Sequence, residues 1–245
     1  MSWRLFLYCS LCCNLLILTS CASAPPTTKN AESYFKEAES LYASHNYEEA
    51  IAQWKKVKET FTSPELSTLA ELKIADAYFE KESYIEAAAG YEDFRKLHPA
   101  HEKASFALYR LGLCYYKQIA GIDTDQTLVK SAAVIFQSFL EQYPSSPYAA
   151  EVQNKLDDCR LKQVQNEFYV GNFYVRTGKY TAAIKRLNEA LTKFPKSPLT
   201  DEILFNLGKA YALSGEKEKG RVVLQQLVTE YPASKHIADA HKLLK

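Results

Sequence analysis

Ile74-Ala75-Asp76-Ala77-Tyr78-Phe79-Glu80-Lys81-Glu82-Ser83-Tyr84-Ile85-Glu86-Ala87-Ala88-Ala89-Gly90-Tyr91-Glu92-Asp93-Phe94-Arg95-Lys96-Leu97-His98-Pro99 holds two spaced signatures in one run. The first is an aliphatic residue, a small residue, two further positions and a tyrosine (Ile74, Ala75, Tyr78). The second is Ala87, Tyr91, Phe94 and Pro99, separated by three, two and four residues. Both recur along the chain. The first returns at Leu111-Gly112-x2-Tyr115, Val170-Gly171-x2-Tyr174 and Leu207-Gly208-x2-Tyr211. The second returns at Ala132/Phe136/Phe139/Pro144, Ala183/Leu187/Ala190/Pro195 and Gly220/Leu224/Leu227/Pro232. A weaker copy is Ala50/Trp54/Val57, whose Pro64 comes two residues late. Short turns join the halves at His45-Asn46, Lys81-Glu82-Ser83, Thr177-Gly178 and Ser214-Gly215.

This recurrence of two separated halves resembles the tetratricopeptide repeat. Small residues in the first helix and at the start of the second let the two helices approach. The tyrosine and the second-helix aromatics fill the space between neighbouring pairs, and the proline ends each pair. No pair can bury its apolar face alone, so the pairs must stack. The fold class expected is all-α, a solenoid of about five helix pairs. Its spacing is uneven: the second-helix alanine or glycine recurs after 37, 45, 51 and 37 residues, against about 34 in a regular array. One excess lies in the third repeat near Gly121-Ile122-Asp123-Thr124-Asp125-Gln126. The other lies between Pro144 and Gly171, where residues 148–170 contain neither Gly nor Pro. One long helix over 148–176 is predicted there, started by Ser145-Ser146-Pro147. It joins two sub-arrays, repeats 1–3 in residues 31–147 and repeats 4–5 in residues 148–245.

Composition excludes several classes. Thirty Lys+Arg against 29 Asp+Glu leave a net charge of +1, which gives no field for nucleic acid. A hydrophobic fraction of 47% is too high for a disordered chain. Four of the six cysteines (Cys9, Cys12, Cys13, Cys21) lie in the first 21 residues, which is no disulfide framework. Arg4 is the sole charge before Lys29, and residues 5–18 are mostly apolar. That run is too short to span a bilayer and suits a secretory signal over 1–20. It ends in Leu18-Thr19-Ser20-Cys21, which resembles a bacterial lipobox, so Cys21 is the expected lipidation site. Its acyl chains would hold the protein at the membrane at about 0.8 kcal/mol per buried methylene. An ordinary secretory signal is the alternative. Ala22 follows where an Asp would mark inner-membrane retention, which points to the outer membrane. Residues 21–30 have the composition of a flexible tether.

The signal, the five repeats, the insertion and the long helix together resemble the BamD (ComL/YfiO) family of outer-membrane barrel-assembly lipoproteins. Asp123-Thr124-Asp125-Gln126 resembles the family's Arg-Asp-Gln segment, with Thr124 in place of the Arg. Tyr143-Pro144-Ser145-Ser146-Pro147-Tyr148-Ala149 resembles its Tyr-Pro-x-Ser-x-Tyr-Ala turn. Residues 173–186, from Phe173-Tyr174-Val175-Arg176 to Lys185-Arg186, resemble its Tyr-Tyr-x-Arg-x-Gly-x-Tyr-x-Ala-Ala-x-x-Arg run. The resemblance implies a non-enzymatic scaffold, lipid-anchored on the periplasmic face of the outer membrane of a Gram-negative bacterium. Its implied partners are a BamA-like barrel subunit, bound through POTRA domains by the C-terminal repeats, other assembly lipoproteins, and unfolded outer-membrane proteins. It places Arg186, and Arg176 beside it, at the partner interface, where a guanidinium can bind a carboxylate bidentately; a solvated surface charge is the alternative reading of Arg186. A repeat lipoprotein coordinating cell-wall processes, of the CpoB kind, is the competing function.

Positions 2, 5, 9 and 12 of the first helix face the groove of such arrays. In repeats 1–3 six of these twelve are aromatic: Phe35, Tyr42, Phe79, Phe106, Tyr109 and Tyr116. In repeats 4–5 two of eight are, Phe168 and Phe205. An aromatic groove suits a peptide with aromatic anchors; the other reading has the rings covered by the insertion or by tight curvature. No metal or cofactor is expected beyond the lipid on Cys21. His98 and His101 lack a third ligand, and Asp123 and Asp125 read as a helix cap rather than a calcium loop. Cys114 and Cys159 are either two buried thiols or a pair. No catalytic constellation occurs.

Overall fold

The computed structural model describes residues 29–60 and 63–245. The signal segment, Cys21 and the tether up to residue 28 lie outside the described residues. Among the described residues the fold is all helical, as the repeats require. The helices are α1 (Ala31–Ala43), α2 (Tyr47–Thr60), α3 (Pro64–Glu80), α4 (Tyr84–Leu97), α5 (Ala104–Lys117), α6 (Thr127–Gln142), α7 (Ala149–Arg176), α8 (Tyr180–Lys193), α9 (Thr200–Leu213), α10 (Lys217–Glu230) and α11 (Ile237–Leu243). Each packs on its neighbour in the chain. The short α11 closes the last repeat on α10 and is an element the repeat signatures do not announce.

Local chemistry sets the boundaries. Asn30 caps α1: its side chain accepts from the Ser33 amide at 2.9 Å. In repeats 1, 2, 4 and 5 the turn after the first helix carries one left-handed residue, His45, Glu82, Gly178 or Gly215, with φ of 62°, 63°, 74° and 91°. Each turn closes in the same way. Asn46, Ser83, Lys179 and Glu216 donate their amides to the carbonyls of Leu41, Tyr78, Tyr174 and Tyr211 at 2.9–3.0 Å. For His45 and Glu82 this backbone costs about 1 kcal/mol that glycine avoids. Repeat 3 lacks the turn and carries the loop 118–126 instead. There Asp125 accepts from the Thr127 amide at 3.1 Å in the turn that leads into α6, whose N-cap is Gln126.

The small residues work as close-approach points. A Cβ added to Gly112 would stand 2.4 Å from the Phe136 ring, and one on Gly220 would stand 2.9 Å from the Gly208 carbonyl oxygen. Five second-helix aromatics are fully buried: Trp54, Tyr91, Phe94, Phe136 and Phe139.

The helix predicted over 148–176 runs Ala149–Arg176, 28 residues and about 42 Å at 1.5 Å per residue. Ser145-Ser146-Pro147 forms a turn before it rather than its first turn, with Ser146 Oγ accepting from the Tyr148 amide at 3.3 Å. Val152, Leu156 and Cys159 belong to the core of repeats 2–3. Val164 and Val175 belong to the core that α8 and α9 complete. One helix thus serves two cores.

Candidate partner-binding surfaces

The six groove aromatics are largely interior. Phe35 is buried edge-on to Trp54, centroids 6.3 Å apart. Tyr42 is half-buried between Tyr47 and Trp54, and burial pushes its phenol up to about 12. Phe79 is buried under the Arg110 guanidinium, 3.7 Å above the ring centre. Tyr109 is 9% exposed. It stacks on Tyr148 at 4.6 Å and 8° and donates to Glu151 at 2.8 Å. Half-buried Phe106 meets the same Tyr148 at 6.0 Å. Tyr116, also half-buried, donates to Asp158 at 2.8 Å, with Lys155 over its ring at 4.6 Å.

Three of the six, Phe35, Phe79 and Tyr109, are therefore core. Tyr42, Phe106 and Tyr116 present part of a ring each. The cover over repeat 3 is neither the insertion nor curvature. It is the first half of α7, which lies along α5 as the first helix of a next repeat would.

A closed polar network sits beside these rings. Tyr91 is fully buried and donates to Asp76 at 2.5 Å. Arg110 donates to the Tyr91 hydroxyl at 3.0 Å and to Glu80 at 2.7 Å. Burial holds the Asp76 carboxyl above the usual carboxylate range, against the opposing pull of Tyr91 and Arg110. With its donors and acceptors matched, the network fastens repeat 2 to repeat 3.

Arg186 on α8 has its Nε 2.6 Å from Glu167 Oε2 on α7. The contact is an ion pair without hydrogen-bond alignment, and Lys193 lies 3.8 Å from the other oxygen of Glu167. The carboxylate that meets Arg186 thus belongs to this chain. Arg176 differs: it is exposed at the end of α7 and forms no ion pair among the described residues.

Two aromatic residues beside Arg176 fall on neither the repeat-signature nor the groove positions. Tyr169 and Phe173 on α7 are 45% and 44% exposed. The available signal is that position 10 of the first helix is small in repeats 2, 3 and 5 (Ala77, Cys114, Ala210) and phenylalanine in repeat 4.

The remaining candidates are structural. Cys114 and Cys159 are free and buried in one core, and burial pushes both thiols up to about 12. His98 pairs with Glu71 at 2.8 Å, and His98 and His101 both pack on Phe94. Among the described residues no His/Cys/Asp/Glu group could hold a metal, and no helix is long and apolar enough to cross a membrane.

A profile of the YfiO family, described as an outer membrane lipoprotein, matches residues 27–225. The chain belongs to that family. Among its relatives is the outer membrane protein assembly factor BamD of Caulobacter vibrioides, 27% identical over 199 residues. That alignment spans 81% of this chain and 65% of the relative, just under two thirds of its length. The factor of the same name from Neisseria meningitidis serogroup A is 25% identical, over 92% of this chain and 91% of its own. Among solved structures, the TPR2AB domain of yeast Sti1 aligns at 17% identity and a TM-score of 0.42, covering 82% of this chain and 78% of that one.

Proposed function

We propose that this family member is a non-catalytic subunit of the machinery that assembles outer-membrane β-barrels. In this reading Cys21 carries the lipid that holds it to the periplasmic face of the outer membrane. The observation that carries the proposal is the family match across nearly all of the repeat array. The fold supports it physically: stacked helix pairs display a long surface and, among the described residues, gather no catalytic constellation.

The barrel subunit, with its POTRA domains, is the partner for the C-terminal repeats, where Arg176 offers a guanidinium unpaired among the described residues and Arg186 one already engaged by Glu167. Unfolded barrel precursors meet the N-terminal repeats at the exposed parts of Tyr42, Phe106 and Tyr116, since Phe35, Phe79 and Tyr109 are interior. Aromatic anchors on a precursor suit such partial rings.

The test is purification of the chain from detergent-solubilised membranes. A POTRA-bearing barrel protein should co-purify in near-stoichiometric amount. Labelled palmitate should enter the wild type and not Cys21→Ala. Cell-wall proteins in place of the barrel protein would overturn the reading.

A further inference from the structure

The eight-residue run of α7 from Tyr169 to Arg176 has no covering element where the repeat architecture normally supplies one. In repeats 2, 3 and 5, position 10 of the first helix is a buried small residue, Ala77, Cys114 and Ala210, each at 0% exposure. The preceding repeat packs against it. Two first helices lack a preceding repeat at this place. One is α1, at the open end of the array, and its corresponding residues Lys36 and Ser40 are exposed and polar, as a solvated end requires. The other is the second half of α7, where the corresponding residues are Tyr169 and Phe173, 45% and 44% exposed. Two faces in the same structural position therefore carry opposite chemistry. Burying the aromatic one is favourable, and exposing it serves nothing in a free array.

The occupant's form follows from the first half of the same helix. Glu151, Lys155 and Asp158 stand on one stripe of α7 with Tyr169, Phe173 and Arg176, at helical spacing. Along Glu151–Asp158 that stripe is met by α5, where Tyr109 donates to Glu151 and Tyr116 to Asp158, each pair 42 residues apart in the chain. A constant offset means α5 and α7 run parallel. Helix α5 stops at Lys117, and the insertion carries on along α7 as far as Asn166, whose side-chain amide donates to the Ile122 carbonyl at 2.6 Å. Beyond that latch the stripe is bare for about ten residues, roughly three helical turns. A helix lying in the line of α5 fits this gap.

We propose that the Tyr169–Phe173–Arg176 surface is a docking shelf for an amphipathic helix of another protein. That helix places apolar side chains over the two rings and an acidic side chain at Arg176, which is exposed and unpaired among the described residues. Exposed Asp123, next to the carbonyl that Asn166 holds, favours a basic residue at the other end.

The test places the photocrosslinking residue p-benzoylphenylalanine at position 169 or 173 of the full chain in the cells that make it. Positions 36 and 40 serve as the reference end. Light-dependent adducts should form from 169 and 173 and not from 36 or 40. Peptide mapping should place them in a segment of another protein with apolar residues at helical spacing. A synthetic peptide of that segment should bind the purified full chain, at least tenfold more weakly to Phe173→Lys and at least threefold more weakly to Arg176→Glu. Both changes lie on an exposed face, and unchanged circular dichroism separates lost binding from lost fold. No adduct, an adduct to lipid, to a second copy or to an extended segment, or a peptide indifferent to Phe173→Lys would each overturn the proposal. It shares Arg176 with the interface proposed above, but its test is separate: loss of the barrel protein from purified material would leave this cross-link map standing.

Discussion

The two halves of α7 share one backbone and differ in what they touch. The first half is enclosed. Val152, Leu156 and Cys159 enter one core while Tyr109 and Tyr116 clasp its other side. The second half is enclosed on one side only, where Val164 and Val175 enter the core with α8 and α9. Its remaining side shows Tyr169 and Phe173. Repeat 3 therefore behaves as a finished end, because a first helix covers it. Repeat 4 starts without a predecessor. The array is two stacks sharing one helix, and the step between them is where uncovered apolar surface collects.

The largest effect that can break this division is a cavity in each core. Leu156→Ala and Leu187→Ala remove side chains that are 2% and 0% exposed. Each should cost about 2–5 kcal/mol. Hydrogen exchange should then speed up in α5 and α6 for the first variant and in α8 and α9 for the second. Equal acceleration of all helices in both variants would make the array a single cooperative unit.

A smaller effect sharpens the contact that fixes the second half. Arg186→Glu sets two carboxylates face to face, one of them on Glu167, whose side chain is 13% exposed. The expected loss is about 1–2 kcal/mol, between exposed and buried pairs. Adding Glu167→Arg should restore the melting temperature. If barrel-subunit binding stays lost in the restored double variant, Arg186 touches the partner as well as Glu167. If binding returns with stability, its role is to hold α8 on α7.

A third effect is alkaline and spread over several groups. Among the described residues, every cysteine and tyrosine whose ionisation is pushed up lies between Tyr42 and Cys159, on the side of the first half. A cysteine in the unfolded chain ionises near pH 9.0, while Cys114 and Cys159 in the fold hold their protons to about 12. Their contribution is thus complete below pH 9 and shrinks as pH rises toward 12. At pH 10 the loss is about 1.4 kcal/mol for each thiol. Exchange in α5 should accelerate between pH 8 and 10, after correction for intrinsic rates, while α9 does not. Parallel acceleration, or a slope unchanged in the Cys114→Ala/Cys159→Ala variant, would remove the thiols as the cause.

Much of this architecture is legible in the amino-acid order because each device is local. A glycine under a Phe136 ring, a proline after a second helix and a gap without Gly or Pro all act within one or two helices. The groove aromatics are different. Whether Tyr109 faces solvent depends on residues about 40 positions later, on Tyr148 and Glu151. Position rules for a regular array assume a regular neighbour, and α7 supplies one to repeat 3 while withholding one from repeat 4. The same reasoning explains Arg186, whose carboxylate stands 19 residues earlier on another helix. The insertion was visible as extra length, but its latch through Asn166 was not, because a polar residue in mid-helix has no fixed meaning until its partner is in place.

A rod clamped in two cores transmits rather than absorbs. Bending α7 at its middle would break its own ladder of hydrogen bonds, since no proline or glycine lies between Ala149 and Val170 to ease a kink. A force applied to the last two repeats therefore reaches the first three as leverage. The arm is about 42 Å long, gripped by the core of repeats 2–3 along its first half and by the core of α8 and α9 along its second.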